Sequence, residues 1–313
     1  MRGEQARTRI ICRVTLEKLR EAQKIAFVFS GGSSRCAFQV GVIERLFALG
    51  IKPAMTIGVS AGAWNAAIVA AHNEHRIRYY WRSYARMPRF DLRNLLVELS
   101  PWRYARNHRR TFARFIGDRL TAPGALPCYI SVTRLRDRKG TLLGAHEVER
   151  PLDLLLAANY LPPFYTSTPV IGGERFGDGG VTDNAPYELA FAHGCDAVVM
   201  VAPKGESEGG IYKSIRETDH VISEQYRDRV VVIRPRHRLP YSFREFRWAK
   251  LVELMILGDL RAREVLLGER HHETDVRAEG DSFTVSVLRL WRRWIRARGP
   301  AAAEPVPAMP ERR

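Results

Sequence analysis

Lysine is scarce in this 313-residue chain. Only Lys18, Lys24, Lys52, Lys139, Lys204, Lys213 and Lys250 stand among its 50 basic residues, so the positive charge is an arginine charge. Cysteine is sparse too: Cys12, Cys36, Cys128 and Cys195 form no CxxC pair and have no histidine at metal-ligand spacing. That excludes a disulfide framework or a zinc site and points to free thiols in a reducing compartment. No stretch reaches the ~20 consecutive apolar residues of a membrane span. The first 23 residues, MRGEQARTRIICRVTLEKLREAQ, lack the apolar core of a cleavable secretory signal. The expectation is a soluble, cytoplasmic protein. Acidic residues are also outnumbered, 34 against 50, which gives a formal charge of +16 and a pI near 10.2. Such a balance calls for an anionic partner: nucleic acid, membrane head groups or an acidic substrate. A hydrophobic share of 45% excludes a disordered polycation.

What is present reads as α/β. The run IAFVF at 25–29 is short, unbroken and apolar, and ends in Ser30-Gly31-Gly32, as a buried parallel strand meets a tight turn. From 37 to 49, Phe38, Val42, Leu46 and Leu49 share a helical face that Gly50 ends. A second strand at 55–59 and an Ala-rich helix at 61–72 follow, and this alternation implies a parallel sheet. Further strands are expected at 127–134, 140–144, 197–201 and 230–233, with helices at 152–158 and 247–267. Residues 1–24 read as a basic extension, 25–267 as the folded domain, and 268–313 as a charged extension with a disordered Ala/Pro/Glu tail.

Three short motifs carry chemistry. Gly58-Val59-Ser60-Ala61-Gly62 is a GxSxG between a strand and a helix. A nucleophilic serine needs a strained strand-to-helix turn, and Gly58 and Gly62 let neighbouring backbone pass. The next helix aims its free N–H groups at developing negative charge. Ser30-Gly31-Gly32-Ser33-Ser34-Arg35 is a second glycine turn whose amides could face one point, as an oxyanion hole or phosphate cradle requires. It lacks the Gly-Lys-Ser/Thr of a P-loop and the GxGxxG of a dinucleotide fingerprint. Gly177-Asp178-Gly179-Gly180 sets a carboxylate among glycines, a pattern that an ordinary turn also satisfies.

In this order, the three motifs make the sequence resemble the patatin-like phospholipases. The matching segments are FSGGSSRCAFQVGVIERL, IGVSAGAWNAA and FGDGGVTDNAP, supported by Leu161-Pro162-Pro163-Phe164, 187–201 and the closing helix at 250–266. The resemblance covers about 25–267. It implies a three-layer α/β sandwich around a central, mostly parallel sheet, and a Ser–Asp dyad of Ser60 and Asp178. It also implies an oxyanion hole from Gly31, Gly32 and Ser33 with Arg35 in support, a DGG motif completed by Gly179 and Gly180, and no metal or organic cofactor. Phospholipid or another lipid ester is the implied substrate. The chain departs from the family pattern at Ser33 and Cys36, where glycines are usual, and Ser33 restricts φ in the oxyanion loop.

A Ser–His–Asp triad is the alternative within hydrolases, with His237, His271 or His272 as base. It is opposed by the single strand that precedes the elbow. The remaining charge is concentrated. Residues 76–119 hold twelve Arg against Asp91, Glu98 and Asp118, a local +9, interleaved with nine aromatics. They read as an Arg/aromatic insertion lying on anionic membrane. The stretch 284–298, with five Arg and an apolar face of Val287, Leu288, Trp291, Trp294 and Ile295, reads as an interfacial helix. A degenerate scaffold holding anionic membrane or nucleic acid through the same Arg and aromatic residues is the rival outside enzymology. The intact Ser60/Asp178 pair argues against it, and no nucleic-acid partner is expected.

Overall fold

Ile25–Phe29 forms β1 at the heart of the sheet, all five residues buried. Its side chains alternate between two cores. Ile25, Phe27 and Phe29 enter one apolar cluster, while Ala26 and Val28 enter the other, as the two-residue period of a strand dictates. Both faces are therefore covered, which is why the run is apolar without interruption. The computed structural model describes residues 16–166, 168–208, 212–213, 219–220, 222–242 and 244–269.

In chain order the strands are β1, β2 (Met55–Val59), β3 (Cys128–Arg134), β4 (Gly140–Gly144), β5 (Val170–Ile171), β6 (Glu174–Asp178), β7 (Ala197–Val201), β8 (Tyr212–Lys213), β9 (Asp219–His220) and β10 (Val230–Ile233). Eight form one sheet in the order β10-β7-β1-β2-β3-β6-β5, with β4 paired to β3. The β10–β7, β7–β1, β1–β2 and β2–β3 pairs are parallel. The β3–β4, β3–β6 and β5–β6 pairs are antiparallel. This is the expected α/β sandwich with a mostly parallel sheet. Strands β5 and β6 are additions to the sequence reading, which placed no strand between 144 and 197.

The helices are α1 (Ala37–Ala48), α2 (Ala61–Ala70), α3 (Ile77–Arg86), α4 (Leu95–Glu98), α5 (Tyr104–Phe115), α6 (Pro151–Ala157), α7 (Glu188–Ala192) and α8 (Trp248–Leu267). Helix α8 crosses α1 at backbone contact: a Cβ at Gly258 would overlap the Phe38 carbonyl oxygen, and one at Gly41 the Met255 carbonyl oxygen. Residues 16–21 are helical, and Leu16 and Leu19 join the core, so the end of the basic extension packs on the domain. Among the described residues, no helix is long and apolar enough to cross a membrane. Cys36, Cys128 and Cys195 are buried free thiols. The amphipathic stretch 284–298, and the tail beyond it, lie outside the described residues.

Residues 76–119 divide their aromatics between the core and the surface. Tyr80, Trp81, Tyr84 and Phe115 are buried, and they stack inward on Trp64, His108 and one another. These four aromatics are therefore a wall of the domain, while Tyr79 and Phe90 of the same stretch are exposed.

Candidate active site

Three loops meet above one end of the sheet: those leaving β1, β2 and β6. Register brings two of them level. Val59 pairs with Ser131 on β3, and Val132 pairs with Asp178. Ser60 follows Val59, so it and Asp178 flank the end of β3 from opposite sides, about 10 Å apart in backbone terms for two strand spacings. Side chains can reach across such a gap, and Ser60 and Asp178 line one pocket, near enough for Ser60 to favour the ionised Asp178 carboxylate.

Ser60 sits at φ 51°, ψ −126°, just before α2. That is a strained conformation for a residue with a Cβ. It lifts the hydroxyl out of the sheet at a helix N-terminus. The flanking glycines are needed for close approach: a Cβ at Gly62 would collide with the carbonyl oxygens of Phe29 and Ser30, and one at Gly58 with the Ala63 backbone. Asn159, just past α6, donates from Nδ2 to the Ser60 carbonyl at 3.3 Å and to the Leu155 carbonyl at 2.8 Å, bracing the elbow.

Asp178 accepts the Gly180 amide at 2.8 Å, and Thr133 Oγ1 donates to its carbonyl at 2.9 Å. Removal from bulk water pushes its carboxyl up to about 6, although nearby Ser60 and the Gly180 amide favour the ionised form. The carboxylate is thus basic enough to take a proton and still ionised at neutral pH.

In the glycine loop the Gly31 amide donates to Asn184 Oδ1 at 2.7 Å, and Asn184 Nδ2 donates back to the Gly31 carbonyl at 3.4 Å. That amide is therefore occupied and not available to an oxyanion. Ser33 lines the same pocket and holds φ at 53°, the left-handed region that a glycine would enter freely. Arg35 donates from Nε to the Tyr241 carbonyl at 2.8 Å and is not among the residues lining the pocket. Behind the loop, Gln39 Nε2 holds the Ser30 carbonyl at 2.7 Å, Asn65 Nδ2 holds Gln39 Oε1 at 2.8 Å, and Trp81 Nε1 donates to Asn65 Oδ1 at 3.0 Å. This buried chain fixes the loop to α2 and α3.

Ser60, Asp178 and Ser33 open onto a pocket with Trp64, Tyr84, His108, Leu161, Phe164 and Phe246 among its walls. His108 is stacked 4.1 Å from Trp64 and 4.6 Å from Tyr84. Burial lowers its pKa to about 3, so it is neutral. Arg244 also lines the pocket, its guanidinium 5.5 Å over the Phe164 ring. An apolar, aromatic cavity with a few polar groups at one end is the form of a small-molecule site. Of the other candidate bases, His237 is exposed, and His271 and His272 lie outside the described residues. Among the described residues no group of three or more His, Cys, Asp or Glu could hold a metal ion.

The sequence reading missed Asn184, Asn159 and His108. Asn184 carried a signal, since it follows the DGG motif by four residues, but its partner lies 153 positions away.

A family model described as patatin-like phospholipase matches residues 27–191. A comparison with curated proteins gave no match. Among solved structures the chain is similar to VipD from Legionella pneumophila at 12% identity, covering 78% of this chain and 67% of that one, with a TM-score of 0.44. It is also similar to the ExoU–SpcU complex from the type III secretion system of Pseudomonas aeruginosa, at 15% identity, 85% and 57% coverage, and a TM-score of 0.38. The alignment thus spans between 57% and 67% of these two longer structures.

Proposed function

We propose, from the premise that the chain belongs to the patatin-like phospholipase family and is therefore a lipid hydrolase, that it cleaves carboxylic esters of lipids with a Ser60–Asp178 dyad and an acyl-enzyme intermediate. The observation that carries this reading is the convergence of Ser60 and Asp178 on one pocket, where burial raises the basicity of the carboxylate.

In the acylation step Ser60 Oγ bonds to the carbonyl carbon while its proton passes to Asp178. The carbonyl electron pair moves onto oxygen, where the amides of Gly32 and Ser33 and the N-terminus of α2 stabilise the negative charge. Collapse expels the alcohol portion as an alkoxide, which takes the proton from Asp178. Water then attacks the acyl-enzyme, giving its proton to Asp178. Breakdown frees the fatty acid and returns the proton to Ser60. The aromatic pocket suits the acyl chain, and the arginine-rich exterior suits peripheral contact with an anionic membrane.

Release of fatty acid from a panel of phospholipid, lysophospholipid and neutral ester substrates tests the reading. Wild type should release it from at least one ester, and Ser60→Ala and Asp178→Asn should lose the activity while remaining folded. If wild type hydrolyses no ester, the proposal is wrong.

A further inference from the structure

Leu92, Leu95, Leu96 and Leu99 stand at i, i+3, i+4 and i+7, the spacing of one helical face, along the 3-10 turn Leu92–Asn94 and α4. A helix packed on a domain turns such a face inward. Here it points out: the four leucines are 64%, 42%, 89% and 86% exposed, and the neighbouring Phe90 is 55% exposed. The polar residue is the one inside. Asn94 is buried and donates to the carbonyls of Ser100 and Trp102 at 2.9 and 3.1 Å.

The inverted face is built, not slack. The ends of the loop are tied by Arg103 N to Arg89 O and by Asp91 N to Pro101 O, each at 2.9 Å. Asp91 pairs with Arg103 at 3.2 Å. Leu99 is held at φ 53°, a conformation that is unfavourable for any residue with a Cβ. The tip is also fastened to the pocket wall. Thr166 Oγ1 donates to the Glu98 carbonyl at 2.7 Å and Ser100 Oγ to the Pro163 carbonyl at 3.0 Å. The Trp102 ring lies 5.6 Å from that of Phe164, which lines the pocket.

Arginine flanks the leucines along the chain. Arg86, Arg93, Arg106 and Arg110 are exposed, and their guanidinium groups enter no ion pair with the described residues. A second copy docked on this face would bring the same charges against themselves, because a two-fold interface pairs each patch with its own image. An anionic bilayer reverses that: phosphate meets arginine, and acyl chains take up the leucines.

We propose that the Leu92–Leu99 face inserts into the outer acyl layer of an anionic phospholipid membrane and so delivers lipid ester directly to the adjoining pocket. The inference rests on the reading of that pocket as a lipid-ester site, and its test separates the two.

Full-length protein carrying Ser60→Ala, so that vesicle lipid is not consumed, is sedimented with vesicles of equimolar phosphatidylcholine and phosphatidylglycerol, and with phosphatidylcholine alone. It should favour the anionic vesicles, and adding L96S/L99S should weaken that binding about tenfold or more, since two buried leucines are lost. In the active enzyme, L96S/L99S should reduce hydrolysis of vesicle lipid and leave a short, water-soluble ester unaffected. A Leu96→Cys variant bearing an environment-sensitive fluorophore should shift to the blue on anionic vesicles. Unchanged binding by L96S/L99S, or no spectral shift, overturns the inference. So does sedimentation velocity showing a wild-type dimer that the variant dissociates while vesicle binding persists. If no ester is hydrolysed by any form but leucine-dependent vesicle binding remains, the hydrolase reading fails and the docking surface stands.

Discussion

Asn184 and Gly31 grip each other at both ends. The Gly31 amide donates to Asn184 Oδ1 at 2.7 Å, and Asn184 Nδ2 returns to the Gly31 carbonyl at 3.4 Å. A Cβ on Gly31 would stand 2.8 Å from Ser60 Cβ and 2.9 Å from Asn184 Oδ1. Three loops thus touch at one point, and the glycine loop is held in register with the loop that carries Asp178.

Asn184→Ala should therefore act through position. It leaves a buried amide unpaired, a loss of about 1–3 kcal/mol in stability. It also frees the loop to which the proposed mechanism assigns the oxyanion donors. We expect kcat to fall about ten- to a hundredfold with KM little changed, less than for removal of an oxyanion donor itself. Steady-state kinetics beside a denaturant titration would check both effects.

Asp178 makes activity and stability diverge with pH. It accepts a proton in the proposed mechanism, so kcat/KM should fall tenfold per pH unit below about 6, the value to which burial raises it from 3.8. Because the folded form holds this proton more tightly than the unfolded chain, its contribution to stability is greatest below pH 4 and is lost as pH rises through 6. With the partial exposure of the group discounted, the loss is about 1–2 kcal/mol at neutral pH. Asp178→Asn should thus abolish hydrolysis and raise the melting temperature at pH 7.

Gly258→Ala tests the α1–α8 crossing. On an isolated helix the change stabilises by about 1 kcal/mol. Here the new methyl would overlap the Phe38 carbonyl oxygen, and backbone cannot rotate away as a side chain can. Steric overlap wins, and we expect a net loss of about 3 kcal/mol or more. Urea denaturation reads the sign directly.

Arg244 predicts substrate preference. Its guanidinium lines the pocket, close enough to Tyr104 for its charge to oppose the upward shift that burial imposes on that phenol. If it meets a head-group phosphate, Arg244→Gln should lower kcat/KM about tenfold for a phospholipid and leave an uncharged ester nearly unaffected. An equal fall for both would assign Arg244 to packing against Phe164.

The central strands were legible because burial on both faces leaves nothing but apolar residues, and the predicted bounds of β1 and β2 agree with the structure. The GxSxG elbow was legible for a similar reason, since steric contact at Gly58 and Gly62 leaves no other residue type. Strand β6 was hidden because ERFGD carries charge and a glycine, and it pairs antiparallel near the sheet edge. The insertion is the most instructive case. Ile77, Tyr80, Trp81 and Tyr84 share the i, i+3, i+4, i+7 spacing and are buried, while Leu92, Leu95, Leu96 and Leu99 share it and are exposed. Periodicity locates a face on a helix. Which way that face turns depends on contacts far away in sequence, such as Ser100 with Pro163 and Glu98 with Thr166.

The most direct measurement of the dyad is labelling by a fluorophosphonate probe, read by peptide mass mapping across a pH series. The account predicts one phosphonylated peptide, containing Ser60, labelled at a rate that rises through pH 6 and is lost in Asp178→Asn. Labelling at another residue, or Ser60 labelling that is unchanged in Asp178→Asn, would contradict it.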